Sequence, residues 1–224
     1  MRIIVHEYAG HPFQLELSRE LARRGHDVLH LYTTSSGGPK AGFPTKAEGS
    51  LDVRNINIGT VNKRGLLCRR RQEAEYGRAA LETIQNWQPD VVVSANTPLD
   101  AQRQLLAWSK SNRVPFVFWL QDVISIAMRS LLRKRIGPLA TPVSAWYGAL
   151  EAKMLRESDA VVCISDDFTD ILSKWGVSDD RVTMIANWAS IEEIPVLSKR
   201  NDFSEAHGLS DKFVILYSGT LGMK

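Results

Sequence analysis

Cysteine is nearly absent: two thiols, Cys68 and Cys163, serve 224 residues. One lies in a basic stretch and the other in an apolar run, neither beside a second metal-ligating residue. No disulfide framework and no metal site is therefore implied. Long apolar runs are missing too; nowhere do about eighteen such residues follow one another, which excludes a conventional spanning helix. No charged-then-apolar leader precedes Arg2, so a cytoplasmic protein is expected. Closely spaced glycines are lacking where they would matter first. "VHEYAGHPF" holds one glycine where a dinucleotide fingerprint needs three, and neither a P-loop nor a G-x-S-x-G elbow occurs. Nicotinamide-dependent hydride transfer, P-loop phosphoryl transfer and elbow-type hydrolysis lose their sequence support.

What is present is ordinary for a chain with a real core: 44% hydrophobic and 24% charged residues. Its length is large for one domain and small for two. Strand-like and helical runs alternate. "RIIVHEY" is followed by "FQLELSRELARRGH", whose apolar residues recur at helical spacing, and then by "DVLHLYT" and "SLDVRNINI". "RRRQEAEYGRAALETIQNW" precedes "PDVVVSAN", where Val91, Val92 and Val93 form the uninterrupted run of a strand covered on both faces. "TPLDAQRQLLAWSKS" predicts a helix capped by Thr97 with Pro98 at its first position. "VPFVFWLQD", "WYGALEAKMLRESD", "AVVCIS", "DDFTDILSKWGV" and "RVTMIANW" continue the alternation. The order predicts an α/β fold, a Rossmann-like doubly wound parallel sheet with helices on both faces.

The net charge of +3 is small but unevenly placed. "NKRGLLCRRRQ" carries Lys63, Arg64, Arg69, Arg70 and Arg71, and "RSLLRKR" carries Arg129, Arg133, Lys134 and Arg135. These are either solvated helix faces or, with their interleaved leucines, surfaces suited to peripheral contact with an anionic membrane. Nucleic acid is not expected as a partner, because no aromatic residue alternates with the arginines as a stacking platform.

Ligands of doubly wound sheets gather beyond the carboxyl ends of the strands. Those positions hold His6, Glu7, Gly10 and His11, then Asn96 and Thr97, then Gln121 and Asp122, then Ser165 and Asp166, and finally Asn187 and Trp188. Each has a plainer reading: Thr97 and Ser165 suit helix caps, His6 a satisfied strand-end histidine, Asn187 a turn. Their convergence on one rim favours a binding role for the set.

"PDVVVSANTP", "FWLQD", "ESDAVVCISDDFTDILSKWGVSDDRVTMIANWASIEEIP" and "FVILYSGTLGMK", in this order, resemble the amino-terminal half of a GT-B glycosyltransferase of family 4. The branch most resembled builds bacterial exopolysaccharide, colanic-acid-type and O-antigen chains. The resemblance implies an acceptor-side domain over residues 1–188, a linker over 189–211, and at 212–224 the first strand and glycine loop of a nucleotide-sugar domain. It also implies a nucleotide-sugar donor as co-substrate, no separate cofactor, no metal, and a lipid-linked or saccharide acceptor, with the protein at the inner face of the membrane. Asp122 becomes the catalytic candidate, as base, orienting group or support for positive charge at the sugar carbon. Gly10, His11, Asn96, Thr97, Gln121, Ser165 and Asn187 are substrate-binding candidates, and Gly219, Gly222 and Lys224 would meet the donor phosphates. The other expectation is a non-catalytic module that holds acceptor or membrane.

Overall fold

The computed structural model describes residues 1–35, 49–59, 66–95, 97–189, 191 and 194–217. The chain divides into two compact units, Met1–Trp188 and Ala189–Lys224. The first unit contains β1 (Arg2–Glu7), α1 (Pro12–Arg23), β2 (Asp27–Tyr32), β3 (Leu51–Asn55), α2 (Leu66–Trp87), β4 (Val91–Ala95) and α3 (Leu99–Asn112). After these come β5 (Phe116–Leu120), α4 (Ile124–Ile136), α5 (Ala140–Glu157), β6 (Ala160–Cys163), α6 (Asp167–Lys174) and β7 (Val182–Met184). All seven strands are parallel, in the order β3-β2-β1-β4-β5-β6-β7.

This order turns around at β1. Right-handed crossovers run one way from β1 to β2 and the other way from β4 to β7, so their helices land on opposite faces. The side chains follow the strand period of two: Ile3 and Val5 pack with Leu15 of α1, Val28 and Leu51, while Ile4 packs with Tyr76, Ala80 and Ile84 of α2. The second cluster also takes in Leu105 of α3, Met154 and Leu155 of α5 and Leu172 of α6. The two layers of helices are thus unequal, with α1 alone among the described helices packed on the first cluster. Helices α2 and α3 approach closely, and Gly77 makes that approach feasible: a Cβ there would lie 2.9 Å from the Ala101 backbone.

Two local expectations change. Helix α3 starts at Leu99 with Pro98 as its N-cap residue, and Thr97 does not cap it. The Thr97 hydroxyl instead donates to the Ala95 carbonyl at 2.8 Å, which turns it back toward the sheet. In the second unit, residues 213–217 form no strand, and Phe213, Ile215, Leu216 and Tyr217 are exposed. A strand is a hydrogen-bonding arrangement with a neighbour, and no described residue supplies the partner ladder that this apolar run would need. Among the described residues of this unit, the helix α7 (Asp202–Ala206) is held by reciprocal bonds between Asn201 and Ser204 in a capping box.

Candidate functional site at the carboxyl ends of the strands

The β1 and β4 ends form the more enclosed side of the rim. His6 is fully buried, its Nδ1 2.7 Å from Ser94 Oγ and its Nε2 2.8 Å from Tyr76 Oη. Ser94 donates to Gln102 Oε1, so His6 Nδ1–H is assigned as the donor to Ser94 and Tyr76 O–H as the donor to Nε2. Burial, aided by the positive charge available to His30, lowers the His6 pKa to about 3, and the ring stays neutral. Thr97 Oγ1 lies 3.3 Å from the same ring. His6 and Thr97 are therefore committed inside a network that joins β1, β4, α2 and α3.

Glu7 was passed over among the binding candidates, yet it shapes the loop that carries two of them. Its Oε2 accepts the N–H groups of Ala9 and Gly10, each at 2.7 Å. Gly10 has φ +79°, a conformation that strains any residue with a Cβ. The turn delivers His11, whose backbone is extended ahead of α1 and whose ring stacks at 5.7 Å on Phe13. Glu7 is itself fully buried, with Oε1 3.8 Å from His30 Nε2. Burial of a carboxylate in this position was legible only as a glutamate at the end of a strand.

The β5 and β7 ends form the accessible side. Asp122 is exposed immediately after β5. It does not cap the next helix: Val123 is the N-cap residue of α4, and Glu151 of α5 accepts the N–H groups of Ile124 and Ser125, each at 2.9 Å. Burial raises the Glu151 pKa, opposed by those bonds, and the nearby Asp122 charge adds to the rise. Gln121 is buried, and its Oε1 accepts from Nδ2 of the exposed Asn187 at 2.8 Å. Those two candidates, distant in sequence, therefore meet. Three aromatic rings gather beside them. Phe13, Trp119 and Trp188 have centroid separations of 5.6 to 5.9 Å, and Trp188 Nε1 donates to Glu16 Oε2 at 2.7 Å. Ser165 stands at the β6 end and accepts the Asp167 N–H at 3.3 Å, so it behaves as a cap of α6. Asn96, Gly219, Gly222 and Lys224 lie outside the described residues.

The basic clusters part company in space. Arg69 pairs with Glu73 at 2.7 Å, and Arg70 pairs with Asp100 at 3.0 Å while lying over the Trp146 ring. Arg71 is exposed, and so are Arg129, Arg133 and Lys134, for which the described residues supply no ion pair. Lys63, Arg64 and the Arg135 side chain lie outside what the structure describes. Among the described residues, no helix is long and apolar enough to cross a membrane.

Comparison with solved structures finds this architecture repeatedly. Anabaena HepE in complex with UDP and glucose matches with a TM-score of 0.56 at 16% identity, over 94% of this chain and 51% of that one. Sucrose-phosphate synthase from Thermosynechococcus elongatus matches with a TM-score of 0.57 at 12% identity, over 86% of this chain and 49% of that one. The chain thus spans about half the length of each, and at such identities the likeness shows the fold. Among curated proteins none matches the sequence. The sequence profile of Glycosyltransferase Family 4 matches residues 13–193, from the first turn of α1 through the Asn187–Trp188 pair, and on that extent the chain belongs to Glycosyltransferase Family 4.

Proposed function

We propose that this chain is the acceptor-side portion of a glycosyltransferase that moves a sugar from a nucleotide-sugar to a lipid-linked or saccharide acceptor in surface polysaccharide synthesis. The observation that carries the reading is the family match over residues 13–193, which spans the rim candidates from Asn96 to Asn187 and begins just after the Gly10–His11 turn. HepE, similar in fold, is described with UDP-glucose, which supports a nucleotide-sugar as the donor class. In the reaction, an acceptor hydroxyl oxygen bonds to the sugar carbon, the bond from that carbon to the donor phosphate breaks, and the nucleoside diphosphate leaves. The hydroxyl proton passes to a base or to the departing phosphate.

Asp122 is the residue proposed to act on that centre, by taking the proton, orienting the hydroxyl or supporting positive charge at the sugar carbon. Its exposure at the end of β5 and its absence from the α4 cap favour this over a scaffold role. Gln121 and Asn187 are proposed to line the acceptor side, Gly10 and His11 to lie near the donor phosphates, and residues 212–224 to begin the donor side with Gly219, Gly222 and Lys224. Peripheral contact with an anionic membrane belongs to the same reading.

The test uses a protein that carries this chain together with a donor-binding half. Asp122→Asn is expected to lower turnover about a hundredfold, equivalent to about 2.7 kcal/mol. Its folding stability should change by less than about 1 kcal/mol. The chain alone is expected to transfer no sugar. Unaltered turnover in Asp122→Asn would remove the catalytic role, and transfer at an enzyme's rate by the chain alone would overturn the division of labour. Failure of the joined protein to transfer from any nucleotide-sugar would favour a binding module.

A further inference from the structure

Helices α4 and α5 form a hairpin closed by a short 3-10 turn at Gly137–Leu139. With 18 residues, α5 is about 27 Å long, whereas the strand it feeds, β6, spans roughly 13 Å. Because α5 enters β6 at the amino end of the sheet and Glu151 is already level with the start of α4, the first turns of α5 overhang the carboxyl ends of the strands. The hairpin tip therefore lies on the same end of the sheet as Asp122, two residues before α4.

A cavity of about 540 Å³ opens at that tip, lined by Arg129, Arg133, Gly137, Pro138, Ala140 and Thr141. The two arginines are one helical turn apart, which places them on one face of α4. None of the described lining residues is acidic, and neither arginine takes part in an ion pair among the described residues. This sets them apart from Arg69 and Arg70, whose charges are met by Glu73 and Asp100. Like charges one turn apart on a solvated helix face repel weakly, and an anion between them would relieve that repulsion. Guanidinium forks match the oxygens of a tetrahedral anion, and Thr141, at the start of α5, adds a hydroxyl to the lining. Leu139, between the lining residues Pro138 and Ala140 in the chain, is 69% exposed.

We propose that the α4–α5 cavity binds a phosphate ester through Arg129 and Arg133, with Thr141 completing the cradle. The site is separate from the rim at β1 and β4. It deepens the acceptor side of the proposed function, and rests on that reading only for the assignment of the phosphate to the acceptor. A lipid headgroup and a soluble phosphate compound would both satisfy it.

The experiment measures binding and not transfer, so its failure leaves the proposed reaction untouched. The 224-residue chain is titrated with inorganic pyrophosphate by calorimetry, and sedimented with phosphatidylglycerol or phosphatidylcholine vesicles at low and physiological salt. The double variant Arg129→Gln/Arg133→Gln is compared with Arg103→Gln/Lys174→Gln, which removes the same charge from exposed positions on α3 and α6. A thermal melt on each establishes that it folds. The expected result is a loss of at least roughly tenfold in affinity for the first variant and less than about twofold for the second. Loss with pyrophosphate assigns the site to a soluble phosphate group, and loss confined to the anionic vesicles assigns it to a headgroup. Equal losses in the two variants, or no binding of either probe by the unaltered chain, would overturn the site.

Discussion

The two sides of the rim hold similar polar residues in opposite states. At β1 and β4, His6, Glu7, Ser94 and Thr97 are buried, and their hydrogen bonds go to one another, to Tyr76, to Gln102 and to the backbone. At β5 and β7, Asp122 and Asn187 are exposed, with Gln121 and an aromatic trio beneath or beside them. A polar residue after a strand is thus a marker of the crevice, but its burial decides whether it is part of the frame or within reach of a ligand. The closed side fixes the Gly10–His11 turn; the open side offers the groups that a substrate could meet.

The comparison breaks most severely at His6. Replacing it in His6→Leu would leave the hydroxyls of Ser94 and Tyr76 facing an apolar side chain in the core. Ser94 would keep Gln102 and Tyr76 the Glu7 carbonyl, so one lost partner each, with the disturbed packing, gives an expected loss of about 3 kcal/mol. For a domain of this size the melt should fall by about 6–12 °C. A shift below about 2 °C would mean that the network contributes little to the frame.

A milder way to probe the same residue is acid. His6 has a folded pKa near 3 against an ordinary value of 6.5, so between those limits the unfolded chain binds a proton that the native ring refuses. Stability is therefore lost as the pH falls from 6.5 toward 3, at roughly 1 kcal/mol per pH unit. Half-buried Glu73 and buried Glu151 act in the opposite sense, since their raised values favour the protonated native form as their own range is approached. The upper part of the window, just below pH 6.5, isolates the histidine. Melts of the unaltered chain and of His6→Gln, which keeps hydrogen-bonding capacity but does not titrate, should diverge in slope there. Parallel curves would show that His6 is not the group responsible.

Much of the frame was legible in the sequence because its signals are local. The Val91–Val93 run and the alternation of strands and helices carry the parallel sheet, and the rim positions follow from strand ends alone. The state of those positions was not legible. His6 is satisfied by Tyr76 from the middle of α2, and Gln121 meets Asn187 only because β5 and the segment after β7 converge. Thr97 looked like a cap, but its hydroxyl had a nearer acceptor in Ala95. The Glu151 carboxylate at the start of α4 comes from the following helix, so no motif around Asp122 could have shown which residue held that helix end. The apolar run at 213–217 is the converse case, where local propensity is strong and no neighbour in the described chain makes a ladder of it.

The smallest expected effect is on the open side, at Asn187. Its side chain is exposed and makes one described hydrogen bond, to Gln121 Oε1 at 2.8 Å. Asn187→Ala should cost about 0.5–1 kcal/mol, because one neutral bond is lost at a position where water can replace it. Gln121→Ala removes a buried side chain as well as the bond and should cost more, about 1–2 kcal/mol. Stability alone does not tell a pair from two independent residues, so the double variant is required. If the 2.8 Å bond links them, the double variant should be less destabilised than the sum of the single ones by about 0.5–1 kcal/mol, since the bond can be lost only once. In the protein carrying a donor-binding half, the same substitutions should raise KM for the acceptor with little change in kcat, the signature of a lost ground-state contact. Additive stabilities together with unchanged KM would dissolve the pair as a unit of the open side, leaving Asp122 to define it.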